Sequence, residues 1–369
     1  MSEPPVVRQE KPQRPSRAPI WVGLAVLAWV ILMMTGLPFN RPSPNSGTAN
    51  AARLTAVATV GMIGDVVQQV GGTCVAVTTL MGPGVDPHVY RASATDAREL
   101  QAADVIFYAG LSLEGQLSEV LERLSERRPT VAVSELAVPE DLRVRTDDGY
   151  SVDPHVWMDV SLWARTVDVV RETLSLLAPE CATAMGARAA SYREQLAALD
   201  QWVRDSAASV PPEQRILVTA HDAFYYYGRA YGFEVHGIQG ISTEAEAGLA
   251  DIRAVTDLVV ERGVPALFVE TSINPRNIEA VQAAVRARGR EVAIGGELFS
   301  DALGAAGTWQ GTYIGMLVHN TKTIVEALGG RVAPLPPALR EWAERWQVPL
   351  PVEQAERSAQ AAAPAVEEG

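Results

Sequence analysis

Cysteine is nearly absent, with Cys74 and Cys181 the only two in 369 residues. Neither has metal-ligand spacing to another cysteine, which excludes a cysteine-built metal site. Their separation specifies no pairing, and two small buried thiols are the simpler expectation. Also missing are a P-loop, a Gly-rich dinucleotide turn and a His-Glu-x-x-His helix, and there is no Gly-x-Ser-x-Gly nucleophile elbow. Basic residues are outnumbered: 31 against 44 acidic ones leaves a net charge of −13. A surface that acidic repels polyanions and gathers small cations, so no nucleic-acid partner is expected.

What is present suits a globular chain of two lobes plus tails, with 47% hydrophobic and 20% charged residues. Arg8, Lys11, Arg14 and Arg17 precede an uncharged run from Ala18 to Asn40. About 20 apolar residues cross a bilayer core, and the basic flank places that end in the cytoplasm. Residues 1–18 therefore read as a cytoplasmic basic segment, 19–40 as a transmembrane anchor or signal segment, and 41–52 as a linker. An uncleaved anchor is favoured, because the apolar run is long and the Ala49-Asn50-Ala51 cleavage candidate lies well beyond it. No cysteine follows the run to take a lipid. The rest is expected outside the cytoplasm, where a disulfide is permitted.

Beyond the linker, short β-rich runs alternate with amphipathic stretches. Strands are expected at 54–60, 75–80, 104–108 and 130–133, then at 216–219, 233–237, 266–270 and 291–294. Helices are expected at 62–70, 95–102 and 113–127, then at 249–262, 275–288 and 313–328. This alternation predicts an α/β fold: two lobes with mainly parallel sheets flanked by helices. Between them, residues 182–210 contain no proline and favour helix. Such a helix spans about 40 Å and joins an N-terminal lobe (53–181) to a C-terminal one (211–330). Residues 331–369 form an extension expected to be partly disordered after Pro351.

Five histidines occur. His88 ends Gly-Val-Asp-Pro-His, His155 ends Val-Asp-Pro-His, and His221 follows a strand in Val-Thr-Ala-His-Asp. Proline stiffens each Asp-Pro-His turn, and the adjacent aspartate is suited to accept the other ring N–H, as carboxylates behind metal-bound histidines do. His221 falls at the carboxyl end of a strand, where open α/β sheets place ligands. His236 and His319 lack such settings and read as packing or surface residues.

These segments, with Gly295-Gly-Glu-Leu-Phe-Ser-Asp-Ala-Leu-Gly304 and Thr312-Tyr-Ile-Gly-Met-Leu-Val-His-Asn320, resemble the zinc/manganese solute-binding (TroA-like) proteins of metal ABC transporters. The resemblance runs from about Leu54 to Leu328. It implies one metal ion in a cleft, held by His88 and His155 from the first lobe and by His221 and Asp301 from the second. Without it, Asp301 reads as a helix N-cap. Asp86, Asp153, Asp222 and Glu270 are the carboxylates nominated to support these ligands. The implied cargo is Zn²⁺ or Mn²⁺, with Fe²⁺ also compatible; the His-rich insertion of many zinc-specific members is absent. The implied partners are an ABC permease and its ATPase, with the receptor a monomer. Affinity should fall below about pH 6.5, as ordinary imidazoles take up protons. Two other readings use the same residues: a zinc hydrolase with Glu270 or Glu297 as base, and a surface adhesion or metal-buffering protein.

Overall fold

The computed structural model describes residues 53–146 and 152–351. The segments at 1–18, 19–40 and 41–52 and the tail after Pro351 lie outside the described residues. Among the described residues, no helix is long and apolar enough to cross a membrane.

The first lobe runs β1 (Leu54–Val60), α1 (Gly61–Gly71), β2 (Val75–Met81), α2 (Ala94–Ala102), β3 (Val105–Tyr108), α3 (Ser118–Ser125) and β4 (Thr130–Ala132). The four strands form one parallel sheet in the order β2-β1-β3-β4. The central strands are runs of Val, Ala, Ile and Phe because helices cover both of their faces. Helix α1 lays Met62, Ile63, Val66, Val67 and Val70 on the core, the spacing of an amphipathic helix. A capping box between Ser93 and Asp96 starts α2. The helix expected from residue 113 becomes regular only at Ser118. Leu111 and Ser112 are both left-handed, with φ of 53° and 66°. They bend the chain around the buried Glu114, which accepts hydrogen bonds from the Ala109 and Gly110 amides (2.6 and 3.2 Å) and the Thr59 hydroxyl (2.7 Å).

Helices α4 (Val133–Ala137), α5 (Val160–Trp163) and α6 (Thr166–Leu177) complete this lobe and lead into α7 (Ala182–Ala208), the 27-residue connector. The first half of α7 is tied to α1: Arg188 donates to the Val70 and Gly71 carbonyls, and Tyr192 to Asp65 (2.7 Å). Its second half holds the other lobe through Arg204 on the Ala230 carbonyl, and the C-terminal extension through Trp202 Nε1 on that of Ala333 (2.8 Å). Cys74 and Cys181 are joined in a disulfide. That corrects the expectation of two buried thiols: Cys74 leads into β2 and Cys181 directly precedes α7, so α1 and α7 packing side by side brings them together.

The second lobe contains β5 (Ile216–His221), α8 (Tyr225–Tyr231), β6 (Glu234–Gln239), α9 (Leu249–Arg262), β7 (Ala266–Glu270), α10 (Arg276–Ala287), β8 (Ala293–Leu298) and α11 (Tyr313–Ala327), followed by α12 (Arg340–Trp346). Strands β5 and β6 pair in parallel, as do β7 and β8, and β5 lies against β7. Both β6 and β8 run further than expected. The β7–β8 ladder continues to Glu270 opposite Leu298 and thereby carries the chain to Asp301. Residues 331–351 are docked, with Leu335, Leu339 and Trp342 buried. One apolar core runs through the first lobe, α7 and α11, and a smaller one lies among β5–β7, α9 and α10.

Candidate metal centre

Four elements deliver four buried side chains to one point. His88 lies on the loop after β2, His155 precedes a short 3-10 turn, His221 ends β5, and Asp301 follows β8. One ring nitrogen or carboxylate oxygen from each lies within 4.8 Å of all the others. His88 Nε2 is 3.3 Å from His155 Nε2, which is 3.3 Å from Asp301 Oδ1; His221 Nε2 is 3.2 Å from Asp301 Oδ2. The rings meet at 55°, 73° and 81° rather than stacked, so their nitrogens converge.

Local sequence explains two of these placements. Asp86 Oδ1 accepts the His88 amide and Asp153 Oδ1 the His155 amide, each at 2.9 Å. The same Asx turn is thus built twice. Asp153 also meets the His155 ring at Nδ1 (2.8 Å). The second oxygen of Asp86 accepts from Thr243 Oγ1 in the other lobe. For His221 the support comes from the neighbouring strand. Glu270 takes its amide with Oε1 (2.9 Å) and its Nδ1 with Oε2 (2.6 Å). Asp222, nominated because it adjoins His221, instead accepts the Gly237 amide at 2.7 Å. A Cβ at position 237 would stand 2.4 Å from that oxygen, so glycine fits there. In the neutral ring, a proton on Nδ1 leaves the Nε2 lone pair facing the centre.

Burial pulls the His88 ring down to about 3. Burial also acts on His155, but Asp153 and Asp301 outweigh it and lift that ring to about 9. At His221 burial is likewise overcome, by Glu270 and Asp301, and the pKa stands well above the usual value. Burial acts to raise Asp301, yet the His221 and His155 rings beside it hold it well below the carboxylate range. His221 Nε2 and Asp301 Oδ1 are buried without a well-aligned hydrogen bond. Polar atoms left unsatisfied at that depth are costly, and a cation between them would satisfy both, so the donor set fits a metal ion.

Other residues fix the centre without sequence signals that isolate them. Trp157 packs edge-on against His155 and donates from Nε1 to the Ser300 carbonyl at 2.8 Å, fastening the Asp301 loop across the cleft. Tyr313 donates to the Trp157 carbonyl, and Ser272 Oγ lies 3.4 Å from Asp301 Oδ2. The remaining histidines stay apart: His236 contacts Glu234, and His319 the Glu297 carbonyl.

A family profile described as "Zinc-uptake complex component A periplasmic" matches residues 56–327. The chain belongs to the ZnuA family. It is 47% identical over 296 residues to the zinc-binding protein TroA of Treponema pallidum, covering 80% of this chain and 95% of that one. It is 43% identical over 284 residues to the manganese-binding lipoprotein MntA of Bacillus subtilis, covering 77% and 92%. The solved structure of periplasmic TroA from Treponema pallidum superposes with a TM-score of 0.73 at 48% identity, covering 75% of this chain and 99% of that chain. That ZnuA-family structure shares the two-lobed α/β architecture with its linking helix.

Proposed function

We propose that the protein is the extracytoplasmic receptor of a metal ABC importer, capturing one divalent transition-metal ion and delivering it to a membrane permease driven by an ATPase. The observation that carries this is the buried cluster of His88, His155, His221 and Asp301, with donors from both lobes within 4.8 Å. Relatives named as zinc-binding, manganese-binding and metal ABC transporter substrate-binding proteins support it. So does the Cys74–Cys181 disulfide, which belongs to an oxidising compartment. The apolar run at residues 19–40 would serve as the membrane tether, and the receptor would act as a monomer.

Capture is favoured over hydrolysis because Glu270, the obvious base, has both oxygens engaged by His221. Four protein donors also complete a tetrahedral set, whereas a catalytic zinc keeps one position for water. Three imidazoles and a carboxylate hold Zn²⁺ more tightly than Mn²⁺ by the Irving–Williams order. The test is metal analysis of the protein purified without added metal, followed by competitive titration with Zn²⁺, Mn²⁺ and Fe²⁺. One ion per chain is expected. His221→Ala and Asp301→Ala should each cost more than the ~100-fold that supporting residues command. A chain that takes up no ion, or binds as well without His221, refutes the receptor assignment.

A further inference from the structure

The loop from residue 240 to 248 belongs to the second lobe, yet it is bonded to the first. Gln239, buried at the end of β6, shapes it by donating to the Thr243 and Ala245 carbonyls at 3.0 and 2.7 Å. So braced, the loop offers Thr243 to Asp86 and Glu244 to Gln116. The two contacts differ in kind. Gln116 and Glu244 are exposed and 3.3 Å apart, where water can replace either partner. Both acceptors are carboxylates, but Asp86 and Thr243 are half-buried, so water competes less for theirs and it is the stronger bond.

Asp86 is also bound on its other side. Its Oδ1 fixes the His88 amide while Oδ2 holds Thr243. One carboxylate therefore joins the turn carrying a donor of the cluster to the opposite lobe, and the lobes cannot separate there without releasing it. We propose that Asp86 and Thr243 form a clasp that sets the residence time of the bound metal, as positioning residues outside the coordination sphere. This rests on the receptor function proposed above. A hydrogen bond to a charged group, broken when the cleft opens, governs release more than capture.

The full-length protein would be loaded with Co²⁺, and release into excess chelator followed by stopped flow. Thr243→Val keeps the shape and removes the hydroxyl; it should speed release about ten-fold, leaving the Co²⁺ ligand-field spectrum and the association rate unchanged. Thr243→Ser should restore wild-type release, and Gln116→Ala should change it less than about two-fold. Wild-type release from Thr243→Val, an altered spectrum, or failure of Thr243→Ser to restore retention would each overturn the clasp while leaving the receptor function standing. A wild-type protein that takes up no Co²⁺ would overturn both.

Discussion

At the scale of single residues, carboxylates behind and beside the imidazoles decide how the centre titrates. His155 is lifted to about 9 and His221 is raised well above the usual imidazole value, while Asp301 is held ionised. Near pH 7 both rings therefore carry protons in the metal-free centre, and an incoming cation must expel them. This moves the pH window upward: affinity should keep rising from about pH 6.5 to about pH 9, where free imidazoles would already have levelled off. Calorimetry in buffers of different ionisation heat should register about two protons released per ion at pH 7; none released would contradict the raised values. The same shifts stabilise the metal-free fold below the unfolded pKa of about 6.5, and that contribution is lost as pH climbs through about 9. His88, pulled down to about 3, acts oppositely and only below 6.5. Much of this centre could be read from local sequence. Each Asp-Pro-His turn is a short-range device, so His88 and His155 announced themselves. Glu270, nominated together with Asp222, is the one that contacts His221, because β7 lies beside β5, an adjacency no local pattern encodes. Asp301 stood out only through likeness to a family, since its local sequence read as a helix N-cap; no helix begins at Ala302, and the chain there runs on as bend and turn.

At the scale of elements, the disulfide closes a loop of 107 residues and fastens the start of α7 to the approach to β2. Chain-entropy arguments assign such a closure about 4–5 kcal/mol. Urea unfolding with and without reductant, or of Cys74→Ser/Cys181→Ser, should show a loss of that order; unchanged stability would mean the reduced chain is held by α1–α7 packing alone. Periodicity found the eight strands, most plainly β1 and β5, whose buried runs are nearly continuous. It missed α6, whose Val167, Val170 and Leu174 are buried at helical spacing within a valine-rich stretch that also suits a strand. It missed α8 because its run of tyrosines around Gly228 has weak helix propensity and is stabilised by burial and a left-handed stop at Gly232.

At the scale of the whole molecule, an ion held from both lobes is a cross-link between them. Binding that requires the assembled pair stabilises the folded state by mass action, about 2.7 kcal/mol at a hundred times Kd. Thermal unfolding should therefore shift upward with Zn²⁺ and return with a chelator, and His88→Ala should abolish the shift. A metal-induced shift that survives in that variant would place the ion elsewhere. The order in which the chain supplies its donors has its own consequence, for they run from position 88 to position 301, past β8. A polypeptide passing through a membrane as an unfolded thread holds no such constellation and carries no ion across. For a chain exported in that way, metallation would be confined to the compartment where folding finishes, and ions abundant at the place of synthesis would not compete for the pocket.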